Sequence, residues 1–163
     1  SDPLSIGMWI YPHFTDSAGF QIFTGNPRNT GNFQGVSVVN GGGNDRLRPR
    51  FWMRSSSSVF LLASMGGKLT QNIWQYLVVT YNGVKSTTGT KFYLNGSEVS
   101  GTTATNTGGS SSIAHNIHFQ IGSRQTVNAF YDGEVADVHY YDVEISASDV
   151  LTNYNATKSK FGL

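Results

Sequence analysis

The chain has 163 residues, no cysteine, 13% charged residues and a formal net charge of +1. These values exclude a disulfide framework, a thiolate metal centre and the basic footprint that duplex nucleic acid demands, and no apolar run reaches the roughly 18 residues of a membrane span. Charged side chains fall well below the about 25% of an average soluble domain, while glycine reaches 19 copies, a composition that suits an all-β domain with neutral polar loops.

Apolar and aromatic residues recur in short runs punctuated by Gly, Asn, Pro and Ser, with the period of two that marks strands. In chain order, strands are predicted over residues 4–11, 19–24, 34–39, 47–54, 58–64, 73–81, 90–95, 117–122 and 132–141. In the sixth of these, Trp74, Tyr76, Val78 and Thr80 face one side and Ile73, Leu77, Val79 and Tyr81 the other. Both sets are largely apolar, so that strand belongs in the middle of a sheet. Asn95-Gly96 separates two short extended pieces and signals a hairpin, because both residues tolerate positive φ. Polar stretches at 25–35, 40–45, 55–58 and 100–112 read as loops. One helix is predicted at roughly 146–154, opened by a capping box of Ser146 and Asp149 ahead of Val150 and Leu151, and lying against a sheet. No repeat of about 20 to 50 residues is present. The strand spacing fits a two-sheet antiparallel β-sandwich or jelly roll.

Four landmarks occur in order: SIGMWIYP at 5–12, WQYLVVTYNG at 74–83, KFYLNGSEV at 91–99 and FYDGEVADVHYYDVEISASDV at 130–150. Together they resemble the laminin-G-like, or concanavalin A-like lectin/glucanase, jelly roll, and the resemblance covers most of the chain. It implies a single all-β jelly-roll domain over residues 1–163, with one short C-terminal helix. For activity it implies only a range, since this fold hosts lectins, adhesion modules, hydrolase-associated modules and viral structural proteins. The chain departs from the family pattern at Asn82, Ala136 and His139, where Asp, Asp and Arg are common. Family members carry a further strand ahead of the first landmark, and only Ser1, Asp2 and Pro3 stand there. The domain is therefore expected to lack that strand, which either was cropped or comes from another segment or subunit, and to be the C-terminal part of a larger protein. The ending NYNATKSKFGL (153–163) resembles the close of such domains in phage and marine viral structural proteins.

Asp132 and Glu134 alternate on one strand face, as the paired carboxylates of jelly-roll glycosidases do at about 5–5.5 Å. The next alternate position is Ala136, and strict alternation sends Asp137 to the opposite face and buries Val135 and Val138 on opposite sides. His13, His115, His118 and His139 form no H-x-E or H-E-x-x-H pattern, and no G-x-S-x-G elbow exposes a nucleophile. No catalytic residue is assigned, and His118 and His139 are expected on strand surfaces. No cofactor is required; calcium is the one ion the oxygen-rich stretch admits, with Asp132 the single ligand worth testing. Sugars offer C–H faces to aromatic rings and vicinal hydroxyls to Arg and Asn. Ligand binding is accordingly expected at Arg28, Phe33, Arg46, Arg48, Arg124, Asn128 and Tyr131, with Trp52 read as core beside Phe51 and Met53. The expected function is a non-catalytic carbohydrate-recognition or adhesion module at an extracellular or virion surface. Its expected partners are a cell-surface or extracellular glycan and other subunits of the parent assembly, further copies of this chain included, without nucleic acid or membrane insertion. The alternative is a structural or protein-interaction domain that decorates a capsid or tail, completes its sheet with a neighbouring chain and binds no glycan.

Overall fold

A computed structural model describes residues 2–13, 20–25, 33–39, 47–55, 58–84, 88–105, 119–122 and 131–163. Along the chain these form β1 (Leu4–Pro12), β2 (Phe20–Gly25), β3 (Phe33–Val39), β4 (Arg48–Ser55), β5 (Ser58–Ser64), β6 (Gln75–Tyr81), β7 (Thr90–Leu94), β8 (Ser97–Glu98), β9 (Thr103–Thr105), β10 (Phe119–Ile121), β11 (Gly133–Tyr141) and α1 (Ala147–Thr157), followed by a 3₁₀ turn, Lys158–Phe161. The first sheet has the order β11-β1-β6-β7-β8 and the second β10-β2-β3-β4-β5-β9. Neighbouring strands are antiparallel, and the whole is a β-sandwich of jelly-roll type. Among the described residues no helix is long and apolar enough to cross a membrane.

Alternate residues of the first sheet point between the layers. Leu4, Ile6, Met8 and Ile10 of β1, Leu77, Val79 and Tyr81 of β6 and Phe92 of β7 meet Ile22, Phe51, Met53, Leu61 and Ala63 of the second sheet. The intervening residues form a separate buried cluster on the outer face, where Trp9, Tyr76, Val78 and Tyr93 lie under Ile145 and Val150. All seven residues of β6 are consequently buried, as two apolar faces require of a central strand.

The outer cluster is closed by the C-terminal segment. Ser146 caps α1: its Oγ accepts from the Asp149 N–H, and the Asp149 carboxylate accepts from the Ser146 N–H. The Ser146 hydroxyl and N–H together hold the Asp149 carboxyl below the usual range. Buried Ser5 fixes the approach to the helix, donating to the Val143 carbonyl and accepting from the Ile145 N–H. The indole N–H of Trp9 donates to Thr157 Oγ1 at 2.9 Å. Its ring stacks on Phe161 at 4.2 Å between centroids and on Tyr154 at 5.8 Å. The hairpin turn Asn95-Gly96 has φ of 50° and 82°; a side chain at Gly96 would press on Leu151 and Tyr154, so the turn is also a seat for the helix.

Four features depart from the sequence reading. Residues 103–105, taken as loop, pair with β5, as their β-branched threonines permit. The helix runs past 154 because no glycine or proline intervenes until Gly162, which ends the 3₁₀ turn at φ 77°. Trp52 is half-buried on the outer face of β4, because the alternation that turns Phe51 and Met53 inward turns Trp52 outward. Lastly, β11 carries a bulge: Gly7 of β1 faces His139 while Trp9 faces Ala136, so Asp137 and Val138 share the space opposite Met8, and Asp137 takes φ 45°. The bulge restarts the alternation, so Val135 and Val138 both pack on the inter-sheet core, and Asp137 stays on the outer side with Ala136 and His139.

Thr157→Val leaves the Trp9 indole N–H buried without its acceptor and is expected to lower the unfolding free energy by about 1 to 3 kcal/mol. Asn155→Ala, on the exposed side of the same helix, is expected to stay within about 0.5 kcal/mol of wild type. Denaturant unfolding separates the two, and equal losses would count against the Trp9 contact.

Candidate functional site

Between β11 and α1 the outer face is incompletely covered, and a cleft of about 120 Å³ opens there. Trp9 and Tyr76 line it from β1 and β6. Asp137, His139 and Tyr141 form the β11 wall, and Asn153, Ala156 and Thr157 the helix wall. The bulge makes this possible: with strict alternation Asp137 faces the core, and αL geometry at Asp137 turns its carboxylate to the cleft instead.

The polar atoms of the walls are partly engaged with one another. Asn153 Nδ2 donates to Tyr141 Oη at 3.2 Å, and Thr157 Oγ1 donates to the Asn153 carbonyl at 2.8 Å. The His139 and Tyr141 rings lie nearly parallel, 6.2 Å apart. Lys160 Nζ stands 3.3 Å from Asp137 Oδ2, with side-chain exposures of 62% and 35%. Such a solvated pair contributes little stability, which leaves the carboxylate free to exchange partners. Burial, reinforced by the neighbouring Tyr141 phenol and Asp137, pushes the Tyr76 phenol up to about 12, and a hydrogen bond with Asn153 pulls the other way. At neutral pH Tyr76 is therefore an uncharged hydroxyl. The cleft thus offers a carboxylate acceptor, hydroxyls and an amide above an aromatic floor.

Those residues singled out from sequence that the structure describes lie elsewhere. Arg28, Arg46, Arg124 and Asn128 fall outside the described residues. Phe33 opens β3 opposite Arg54. Arg48 is half-buried, and its Nη1 donates to the carbonyls of Met65 at 2.9 Å and Gly66 at 3.4 Å, bracing the strand against the turn after β5. With Arg50 and Trp52 it forms a stripe along the outer face of the second sheet. Tyr131 is buried in the inter-sheet core, which raises its phenol pKa far above the ordinary value. Asp132 is half-buried at the entry to β11, and its carbonyl accepts from the His13 N–H at 3.0 Å. Among the described residues no three His, Cys, Asp or Glu side chains converge as a metal site. Gly133 follows Asp132 because a Cβ there would collide with the Tyr11 carbonyl oxygen. Sequence reasoning missed Asp137, Tyr76, Tyr141 and Asn153; the signal available for them was the apolar or aromatic character of both parities of β1 and β6, which requires a cover over the outer face.

This architecture is that of a lectin-like β-sandwich. The chain belongs to the family Laminin_G_3, of the concanavalin A-like lectin/glucanases superfamily, whose model matches residues 1–151. No curated protein matches it by sequence. Among solved structures it is similar to the native heptameric SAP-like pentraxin of Limulus polyphemus, with 19% identity and a TM-score of 0.61 over 94% of this chain and 70% of that one. It is also similar to domain 4 of AbnA, a GH43 extracellular arabinanase of Geobacillus stearothermophilus, in complex with arabinotriose (18% identity, TM-score 0.61, 93% and 66% covered). A third is botulinum neurotoxin type C, whose cell entry depends on interaction with two ganglioside molecules (15% identity, TM-score 0.62, 95% and 36% covered). The chain spans only part of each, and at these identities the likeness establishes the fold.

The Tyr76 shift has a sign that can be checked. A phenol whose folded pKa lies above its ordinary value of 10.0 contributes stability that is fully present below pH 10 and is lost as pH rises towards 12. Melting temperatures measured between pH 9 and 12 are expected to fall more steeply for wild type than for Tyr76→Phe, with the two converging in slope below pH 10.

Proposed function

We propose that the domain is a non-catalytic carbohydrate-recognition module and that the cleft between β11 and α1 holds one sugar residue of a cell-surface or extracellular glycan. The observation that carries this reading is the convergence on one open cleft of polar groups of both kinds, Asp137 as acceptor and Tyr141 and Asn153 as donors, over a floor closed by the buried rings of Trp9 and Tyr76. A carboxylate accepts from two neighbouring hydroxyls at once, and charge-assisted hydrogen bonds of this kind are the stronger sort. Backbone geometry presets Asp137, which lowers the ordering cost on binding. The arabinotriose held by the arabinanase domain and the gangliosides needed by the toxin support a saccharide as the ligand class.

A glycosidase of the common type needs two carboxylates across the bond it cleaves. Among the described residues the cleft lining contains one, Asp137, which supports binding without turnover. No metal is required by this reading; Asp132 is the position through which calcium would act. An extracellular or virion-surface setting is part of the same proposal, and a cell-surface or extracellular glycan as ligand supports it. Several copies of the chain in one assembly would raise a modest single-site affinity by multivalency.

A glycan array read with calcium and again with chelator is the direct test. Binding is expected in both conditions, weakened about tenfold or more by Asp137→Ala, the scale of one lost hydrogen bond to a charged group. Binding abolished by chelator would move the site to Asp132, and a silent array would favour the structural or protein-interaction role. Incubated with the oligosaccharides it binds, the wild-type domain is expected to release no new reducing ends; release that disappears in Glu134→Gln would make the domain an enzyme.

A further inference from the structure

We propose that a second, sugar-stacking subsite lies beside the cleft on the same face of β11, formed by Tyr11, Trp74, His13 and Glu134, so that the ligand is a linear oligosaccharide chain rather than a lone terminal sugar. The proposal rests on the reading of the cleft given above and extends it.

The strand registers place these residues together. Glu134 is opposite Tyr11 on the outer face, just as Ala136 is opposite Trp9. Ile10 pairs with Gln75, which sets Trp74 beside Tyr11 on the other flank. The Trp74 ring meets Tyr11 edge to face at 5.5 Å, and the His13 ring meets Tyr11 at 5.2 Å and 89°. His13 Nε2 stands 3.7 Å from Glu134 Oε1, with side-chain exposures of 45% and 60%. Tyr11 and Trp74 are half-buried and keep part of their surface in solvent.

Three chain segments hold this arrangement through two backbone hydrogen bonds and one side-chain contact. The His13 N–H donates to the Asp132 carbonyl at 3.0 Å, the Asn72 N–H to the Pro12 carbonyl at 2.9 Å, and Gln71 Nε2 reaches the His13 carbonyl at 3.4 Å. A solvated His–Glu pair adds almost nothing to stability, so folding does not account for placing that pair beside two aromatic rings held edge to face. A sugar does: its C–H face lies on an aromatic ring while its hydroxyls meet the imidazole and the carboxylate.

The platform is continuous with the cleft. Phe161 packs on Trp74 at 4.8 Å and on Trp9 at 4.2 Å, joining both sets of rings in one aromatic row. Glu134 precedes Asp137 by three positions, roughly 10 Å along a strand, a span that the first and third units of one linear trisaccharide bridge.

The test is a titration of the isotopically labelled domain followed by nuclear magnetic resonance, reading the Asn153 side-chain amide for the cleft and the Trp74 indole N–H for the platform. The probes are the methyl glycosides of arabinose, galactose and glucose and the matching linear trisaccharides. A trisaccharide that shifts Asn153 is expected to shift Trp74 as well and to bind about tenfold more tightly than its methyl glycoside. Tyr11→Leu and His13→Ala are each expected to remove that gain while leaving methyl glycoside binding at the cleft unchanged, and two variants guard against one failing to fold. Equal affinities with an unmoved Trp74 signal overturn the subsite and leave the cleft reading standing. If no probe moves Asn153, the cleft reading fails, and this proposal with it.

Discussion

A tryptophan buried on the wrong side of its sheet sets the terms for this structure. Trp9 points away from the inter-sheet core, yet it is fully buried and its indole N–H is satisfied. With Tyr76, Val78 and Tyr93 it makes the outer face of the first sheet an apolar surface that water cannot be allowed to reach. The C-terminal helix and 3₁₀ turn supply the cover, and the indole selects their position through one hydrogen bond and two ring stacks. Burial drives the association without direction; the N–H to Thr157 and the stack on Phe161 supply the direction.

The cleft is a by-product of how that cover ends. The helix is seated on the β7–β8 turn, lays Tyr154 against Trp9 of β1 and Tyr76 of β6, and leaves a gap towards the edge strand β11. What remains open is polar because of the bulge. An uninterrupted β11 places Asp137 inward, where an ionised carboxylate in the inter-sheet core is untenable. The extra residue keeps Val135 and Val138 in the core and leaves Asp137 at the surface beside Lys160. One irregularity in the ladder therefore serves the core and the cleft together.

Much of the fold was legible in the sequence because its determinants are local. Alternation located the strands, Asn95-Gly96 the hairpin and Ser146 with Asp149 the helix start, each resting on residues within a few positions of one another. The cleft was not legible for the converse reason. Its floor is Trp9 and its wall includes Thr157, partners 148 residues apart, and no local pattern links them. The bulge was hidden because it is a property of the register between β1 and β11, which a period-two reading of β11 alone treats as uniform. Arg48 illustrates a further limit: its charge and spacing suggested a ligand contact, while its Nη1 donates to the backbone carbonyls of a turn.

The distance in sequence between Trp9 and its cover also governs when the domain becomes complete. During synthesis β1 emerges well before its neighbours in the sheet, β6 and β11, and Thr157, which meets Trp9, is made 148 residues after it. Until those residues are made, a nascent chain carries an aromatic surface without its lid, and closure waits for a long-range contact, the slow kind in folding. The helix and the 3₁₀ turn after it are the step that completes the domain, and before it the aromatic face of β1 is open to whatever chaperone or neighbouring nascent strand meets it.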